Sequence, residues 1–142
     1  MSLLGLMGVL PDEYELQTNF PVYLPNGWSL TPVPTVHVPW MNCYGYLITA
    51  GAQTIYYSGD AAKIPQAILN LLLSDGIDWL YQDVSIREGG GGAHLHLPAL
   101  CGAIPDSSMR RKICTMHFDC PDYARHIQVE DFLTVDREIS DD

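Results

Sequence analysis

Ile55-Tyr56-Tyr57-Ser58-Gly59-Asp60-Ala61-Ala62 decides how this chain is read. An apolar, β-prone run stops abruptly at Ser-Gly-Asp, and small residues lead on toward a helical pattern. A buried strand that ends this way carries one carboxylate to the rim of an α/β sheet, where ligands and metal ions bind. Asp60 is therefore the first candidate functional residue, and the rest of the chain has to supply its partners.

Working outward, residues 64–73 have helical spacing, with Pro65 suited to the first turn and Asp75-Gly76 to the end. Ile77-Asp78-Trp79-Leu80-Tyr81 reads as the next strand, closing on Gln82-Asp83. Upstream, Cys43 to Thr49 and Thr54 to Ser58 form a strand pair joined across Ala50-Gly51-Ala52. Before them, Val22-Tyr23-Leu24 and Trp28-Ser29-Leu30 flank Pro25-Asn26-Gly27, a hairpin signal. Pro32, Pro34 and Pro39 punctuate Val36-His37-Val38, which suits an edge or bulged strand. Downstream, the glycine run Gly89 to Gly92 reads as a mobile loop; it lacks GxGxxG and GK[ST], which argues against a phosphate-binding loop. A short helix through Leu97 to Cys101, a strand from Lys112 to Met116, a helix from about Asp122 and a strand near Phe132 to Val135 follow. The order is β-hairpins and then βαβαβαβ, a mixed α/β chain without internal repeat. It divides into an apolar and acidic lead-in (1–19), a core (20–135) and a charged tail (136–142), all in one domain.

Composition sets the class. Hydrophobic residues make up 47% and charged residues 17%, which is a core-forming sequence, not a disordered one. The formal charge of −10 argues against a chain that grips nucleic-acid phosphates unaided, and leaves room for a phosphate substrate held through metal ions. Cys43, Cys101, Cys114 and Cys120 show no CxxC spacing, so reduced thiols in a cytoplasmic protein are expected. No apolar run reaches the roughly 20 residues that span a bilayer, so no membrane partner is expected.

Three polar groups follow apolar strands directly: Asp60, Asp83 and His117. Parallel strands bring such positions to one rim, and carboxylate with imidazole is the ligand chemistry that zinc and manganese accept. Asp60 and His117 are thus metal-ligand candidates, and Asp83 a supporting residue behind them. Each has a plainer reading taken singly: Asp60 as a turn or cap residue, His117 as a hydrogen-bonded structural histidine, Asp83 as a loop cap. Their co-occurrence at strand ends favours the functional one. In Ala93-His94-Leu95-His96-Leu97, His94 at the loop-to-helix junction is taken as functional and His96 as an exposed residue of the first helical turn. His126 reads as solvent-facing and His37 as structural.

With these residues in view, the chain resembles the C-terminal half of the metallo-β-lactamase fold, in its tRNase Z-like and phosphodiesterase-like branch. Val36-His37-Val38-Pro39 through Tyr44-Gly45-Tyr46-Leu47-Ile48 is similar to the paired strands before that family's aspartate. Thr54 to Asp60 resembles its "(Y/F)-S-G-D-T" motif, with Ala61 in place of the usual Thr. Ile77 to Ser85 resembles "D-x-L-I-H-E-A-T", Asp83 falling on the acid and Gln82 on the His. Ala93 to Leu100 resembles "H-x-S-x-x-x-L", with the catalytic histidine on His94. Cys114 to Asp119 resembles the closing strand with the last metal-binding histidine, here His117. The likeness runs from about residue 34 to 135.

The resemblance implies half of a four-layered αββα sandwich, with helices on one face of a mixed sheet. It implies that Asp60 bridges two divalent ions, zinc foremost and manganese second, and that His117 ligates one. His94, oriented by Asp83, would serve the leaving group while metal-activated water attacks a phosphodiester or a related phosphorus or acyl centre. The family's H-x-H-x-D-H motif is absent, so the chain is expected to be a truncated or split hydrolase, inactive alone and weak in metal. Its partner would be the missing N-terminal half or a second copy. The alternative is a degenerate, non-catalytic module kept for protein association, since half of the fold exposes an apolar sheet face.

Overall fold

Three reversals of chain direction lay down the first four strands of the sheet. The structure, a computed structural model, describes residues 20–87, 92–117 and 119–135; the lead-in, Gly89 to Gly91 of the expected loop, Phe118 and the tail lie outside the described residues. Strands β1 (Val22–Tyr23) and β2 (Ser29–Thr35) form the expected hairpin, and Gly27 takes the left-handed φ of 82° that its turn needs. β2 runs antiparallel to β3 (Cys43–Ala50), which runs antiparallel to β4 (Gln53–Tyr57). β4 is therefore parallel to β2. Next come α1 (Gln66–Leu73), β5 (Trp79–Ser85), β6 (Leu95–His96), α2 (Leu97–Ala103), α3 (Ser107–Arg110), β7 (Ile113–Met116), α4 (Tyr123–Val129) and β8 (Leu133–Thr134). β5, β7 and β8 join in parallel, giving the order β1-β2-β3-β4-β5-β7-β8, while β6 pairs beside the end of β5. The C-terminal ends of β2, β4, β5 and β7 thus share one rim.

Several boundaries depart from the sequence reading. β2 passes through Pro32 and Pro34 and stops at Thr35, so Val36-His37-Val38 lies beyond the strand. Two residues apart, both prolines turn their hydrogen-free nitrogens to the same edge. β1 covers that edge only at Ser29 and Leu30, so no ladder bond is lost. β5 does not close at Asp83. It continues to Ser85, because Gln82 and Asp83 pair with Thr115 and Met116 while Val84 and Ser85 pair with β6. At the end of α1 it is Asp75 that adopts positive φ (57°); Gly76 matters for closeness, since a Cβ there would sit 3.1 Å from Leu71 Cδ2. The short α3, absent from the sequence reading, starts where Asp106 caps the Ser108 amide at 2.8 Å.

Registers assign the faces. Leu47, Tyr56, Leu80 and Ile113 are cross-strand neighbours on one face, and they join Ile68, Leu72, Leu100, Ile104 and Ile127 of the helical layer in one core. Burying a Leu or Ile side chain contributes about 1.5–3 kcal/mol, so this face holds the sheet and helices together. On the other face Tyr46, Tyr57, Tyr81, Cys114 and Leu133 line up strand by strand. Tyr44, Tyr46, Tyr57 and Leu133 there remain exposed, and Trp79, Tyr81, Cys114, Phe132 and Leu133 border a groove of about 320 Å³. The fold is a mixed α/β half-sandwich with helices on one side and an open aromatic face on the other.

Candidate metal centre

The Ser58-Gly59-Asp60 turn is built by buried hydrogen bonds. The Ser58 amide donates to the Tyr81 carbonyl (2.9 Å), and Ser58 Oγ accepts from the Asp83 amide (2.9 Å) while donating to the Gly59 carbonyl (2.6 Å). Ser58 is wholly buried, its hydroxyl is occupied, and it has no role as a nucleophile. Gly59 adopts φ 59°, and a Cβ would come within 3.3 Å of the Tyr44 carbonyl. The small residues after the turn keep it close to its neighbours: Ala62 N donates to the Val36 carbonyl (2.6 Å), and Ala61 O accepts from Leu95 N (3.0 Å). Asp60 is left at the rim with its side chain 69% exposed.

Asp83 is the opposite case, a carboxylate in a strand at 1% exposure. Its Oδ2 accepts from the Ala61 amide at 2.9 Å and from His94 Nδ1 at 2.6 Å. Because a carboxylate only accepts, that contact puts the His94 proton on Nδ1 and leaves Nε2 for other chemistry. Parallel pairing of Val84 with Leu95 is what sets His94 beside Asp83. His117 follows β7 directly and holds φ 71°, an uncommon conformation for a non-glycine residue. Its ring stacks on His94 with centroids 4.0 Å apart, and its Nδ1 lies 3.7 Å from Asp83 Oδ1.

His37 also reaches the site, and its hydrogen bond fits the reading of a structural histidine. Its Nδ1 donates to the Ala93 carbonyl at 2.8 Å, its Nε2 lies 4.0 Å from Asp60 Oδ2, and its ring meets His94 edge-on at 5.1 Å. His96 does differ from the expectation. It lies in β6, half-buried, with Nε2 3.2 Å from the Ile86 carbonyl, because β5 extends far enough to pair with it. His126 is exposed on α4, as expected, over the Asp122 carbonyl (2.9 Å).

Two further side chains hold the frame. Tyr123 hydroxyl reaches the Met116 carbonyl (2.6 Å) and the Val84 carbonyl (3.1 Å), stitching β7 to β5 just before His117; burial pushes its phenol well above the ordinary value. Asp119 Oδ2 accepts from Ser85 Oγ (2.7 Å), Ile86 N (3.0 Å) and Arg87 N (3.1 Å), fixing the chain as it leaves β5. Burial alone would raise the Asp119 carboxyl, but these donors outweigh it and hold it below the usual range.

Among the described residues, two sets of three side chains can hold a divalent ion, His37–Asp83–His94 and Asp60–Asp83–His117, with donor atoms in each within 4.8 Å of one another. The mixture of carboxylate oxygens and imidazole nitrogens suits such an ion. Asp83 Oδ1, buried and without a hydrogen-bond partner among the described residues, marks where positive charge fits.

No family model matches this chain, and no curated protein sequence does. Among solved structures it is similar to Igni18, a metallo hydrolase from the hyperthermophilic archaeon Ignicoccus hospitalis, with a TM-score of 0.56 and 12% identity over 86% of this chain and 56% of that one. It is similar also to YhfI from Bacillus subtilis, a metallo-β-lactamase fold protein, with a TM-score of 0.52 and 17% identity over 87% of this chain and 51% of that one. The fold is therefore metallo-β-lactamase-like, and the chain spans about half the length of the solved structures it matches.

Proposed function

We propose that this chain is the C-terminal half of a metallo-β-lactamase-fold hydrolase of the tRNase Z-like, phosphodiesterase-like branch, acting on a phosphodiester and completed by an N-terminal half. The observation that carries this is the convergence of Asp60, Asp83, His94 and His117 on one rim, with the 2.6 Å bond from His94 to Asp83 at its centre. Asp60 and His117 are the ligands this half contributes to divalent ions, zinc foremost and manganese second. Such ions, when bound, supply Lewis acidity and lower the pKa of a coordinated water. Asp83 fixes the His94 tautomer and orientation, so that His94 Nε2 faces the substrate. As the phosphorus–oxygen bond breaks, protonated His94 gives its Nε2 proton to the leaving oxygen, and Asp83 balances the imidazolium until then. Without the ligands of the other half, the chain alone is inactive.

The test is cleavage of bis-p-nitrophenyl phosphate, with metal content measured in parallel, by the chain alone and with a candidate N-terminal half. Cleavage only in the completed protein, lost in Asp60→Ala, is the expected result. No cleavage in either case, or cleavage indifferent to Asp60→Ala, overturns the mechanism.

A second reading, a non-catalytic association module, is favoured by one observation: the open face carrying Tyr44, Tyr46, Tyr57 and Leu133. Its occupant would be a second copy of the chain. Sedimentation decides: a stable, metal-free homodimer supports this reading, and a monomer at high concentration rejects it.

A further inference from the structure

We propose that Asp83 binds metal directly through Oδ1, so that Asp83, His117 and Asp60 form a complete one-ion site for a divalent cation of the zinc type within this chain alone. The proposal rests on reading Asp60 and His117 as ligands, but it gives Asp83 a second role and removes the need for the other half in binding.

Distances separate the two candidate sets. Ligand atoms about 2.0–2.2 Å from a common tetrahedral ion lie about 3.3–3.6 Å from each other. His94 Nδ1 and Asp83 Oδ2 are 2.6 Å apart, too close to share an ion and right for sharing a proton. His117 Nδ1 and Asp83 Oδ1 are 3.7 Å apart, too far for a hydrogen bond and nearly right for two ligands of one ion. Each oxygen of Asp83 thus has its own task, Oδ2 toward His94 and Ala61, Oδ1 toward the cation.

Burial favours the second task. The Asp83 side chain is 2% exposed, and a carboxylate oxygen buried without a donor is costly unless a cation meets it. The other two ligands supply the way in, since Asp60 and His117 side chains are 69% and 38% exposed. Two carboxylates and one neutral imidazole neutralise a divalent ion and leave a fourth position open, the pattern of a zinc site that accepts water or substrate. The φ of 71° at His117 fits a side chain whose placement is set by a ligand, because strained backbone gathers at such sites.

The experiment is a zinc titration of the full chain, stripped with EDTA and competed against a chromophoric chelator, on the wild type and on Asp83→Asn, His117→Ala and His94→Ala. The wild type takes up one equivalent; His94→Ala, which removes a hydrogen bond to the ligand Asp83, loses roughly 10–100-fold in affinity, and Asp83→Asn and His117→Ala, which remove ligand atoms, each lose more. Failure of the wild type to bind one equivalent overturns the proposal. So does a His94→Ala loss equal to that of Asp83→Asn, because Asp83 would then act only through His94. If Asp83→Asn does not fold, X-ray absorption of the zinc-loaded wild type decides: one imidazole in an otherwise oxygen shell supports the site, and two or more overturn it. Zinc uptake by the chain with no phosphodiester cleavage after completion sinks the hydrolase reading alone. Cleavage by the completed protein with no zinc uptake by the chain sinks this proposal alone.

Discussion

Asp83→Ala deprives two donors of their acceptor, the Ala61 amide at 2.9 Å and His94 Nδ1 at 2.6 Å. A buried donor left unpaired costs about 1–3 kcal/mol. The Ala61 amide is buried, whereas His94, 19% exposed, can turn toward water. The substitution should therefore cost about 2–4 kcal/mol, below the simple sum of two full penalties. Asp83→Asn keeps the shape and an accepting oxygen. It loses the charge, which roughly halves the strength of the His94 bond, and should cost about 1–2 kcal/mol. For a chain of this length 1 kcal/mol moves the melting temperature by about 3–5 °C, so the two variants separate clearly in thermal scans with EDTA present. Adding His94→Ala to each and measuring urea unfolding by tryptophan fluorescence completes a double-mutant cycle. Its interaction energy should fall at about 1–3 kcal/mol for the Asp83→Ala pair. Additive losses would refute the coupling of Asp83 to His94, and an Asp83→Asn as damaging as Asp83→Ala would refute the hydrogen-bond account.

Other substitutions probe the frame. A Cβ at Gly45 would collide with the Tyr56 hydroxyl and lie 2.8 Å from the Tyr57 carbonyl, so Gly45→Ala should lose about 1–3 kcal/mol in urea unfolding; a neutral result would mean that the strand can shift. Asp119 is held below its usual range, so its contribution is present above the unfolded carboxyl value, near 4, and is lost as pH falls through the lower folded value. Acid titration of stability should accordingly be shallower in Asp119→Asn than in the wild type, and equal slopes would count against the clip on Ile86 and Arg87. Charging the open face with Tyr46→Glu and Tyr57→Glu should shift any self-associated population toward monomer in sedimentation, without lowering the melting temperature of dilute protein, since neither side chain lies in the core.

The parts of this fold legible in the sequence are those with local causes. Asn26-Gly27 announces its hairpin, Ser58-Gly59-Asp60 its turn, and Pro65 the start of α1. What escaped depended on pairing across the sheet. Asp83 looked like a strand end because the aromatic run Trp79–Tyr81 stops before it; only the ladders to Thr115, Met116 and Leu95 carry β5 onward and bury the carboxylate. The same extension turns His96 from an exposed helix residue into a strand residue. The place of His37 on the rim was hidden by its prolines, although a signal was there. A strand followed by two hairpin-type reversals must run parallel to its own starting direction, so the residue after β2 lands on the rim that carries Asp60. Counting reversals between Thr35 and Ser58 would have placed it.

The open face and the rim are one surface, and this ties the two functional readings together. Tyr57 pairs with Tyr81, and Tyr81 and Asp83 are two residues apart on β5, so all three belong to the uncovered side of the sheet. Asp83 is buried at the rim, where the Ala61 amide, His94 and His117 stand against its carboxylate. A partner that covered Tyr46 and Tyr57 would therefore stand beside Asp60 as well, and water would leave the space between them. Displacing that water strengthens every charge interaction of Asp60 with a cation, since the same pair interacts about four times more strongly at an effective dielectric of 20 than in bulk water. Whether the partner is an N-terminal half or a second copy, association and metal affinity should rise together. Zinc should then promote association in the wild type and lose that effect in Asp60→Asn. Association unchanged by zinc would place the aromatic face and the carboxylate rim under separate control, contrary to the continuity that Tyr57, Tyr81 and Asp83 display.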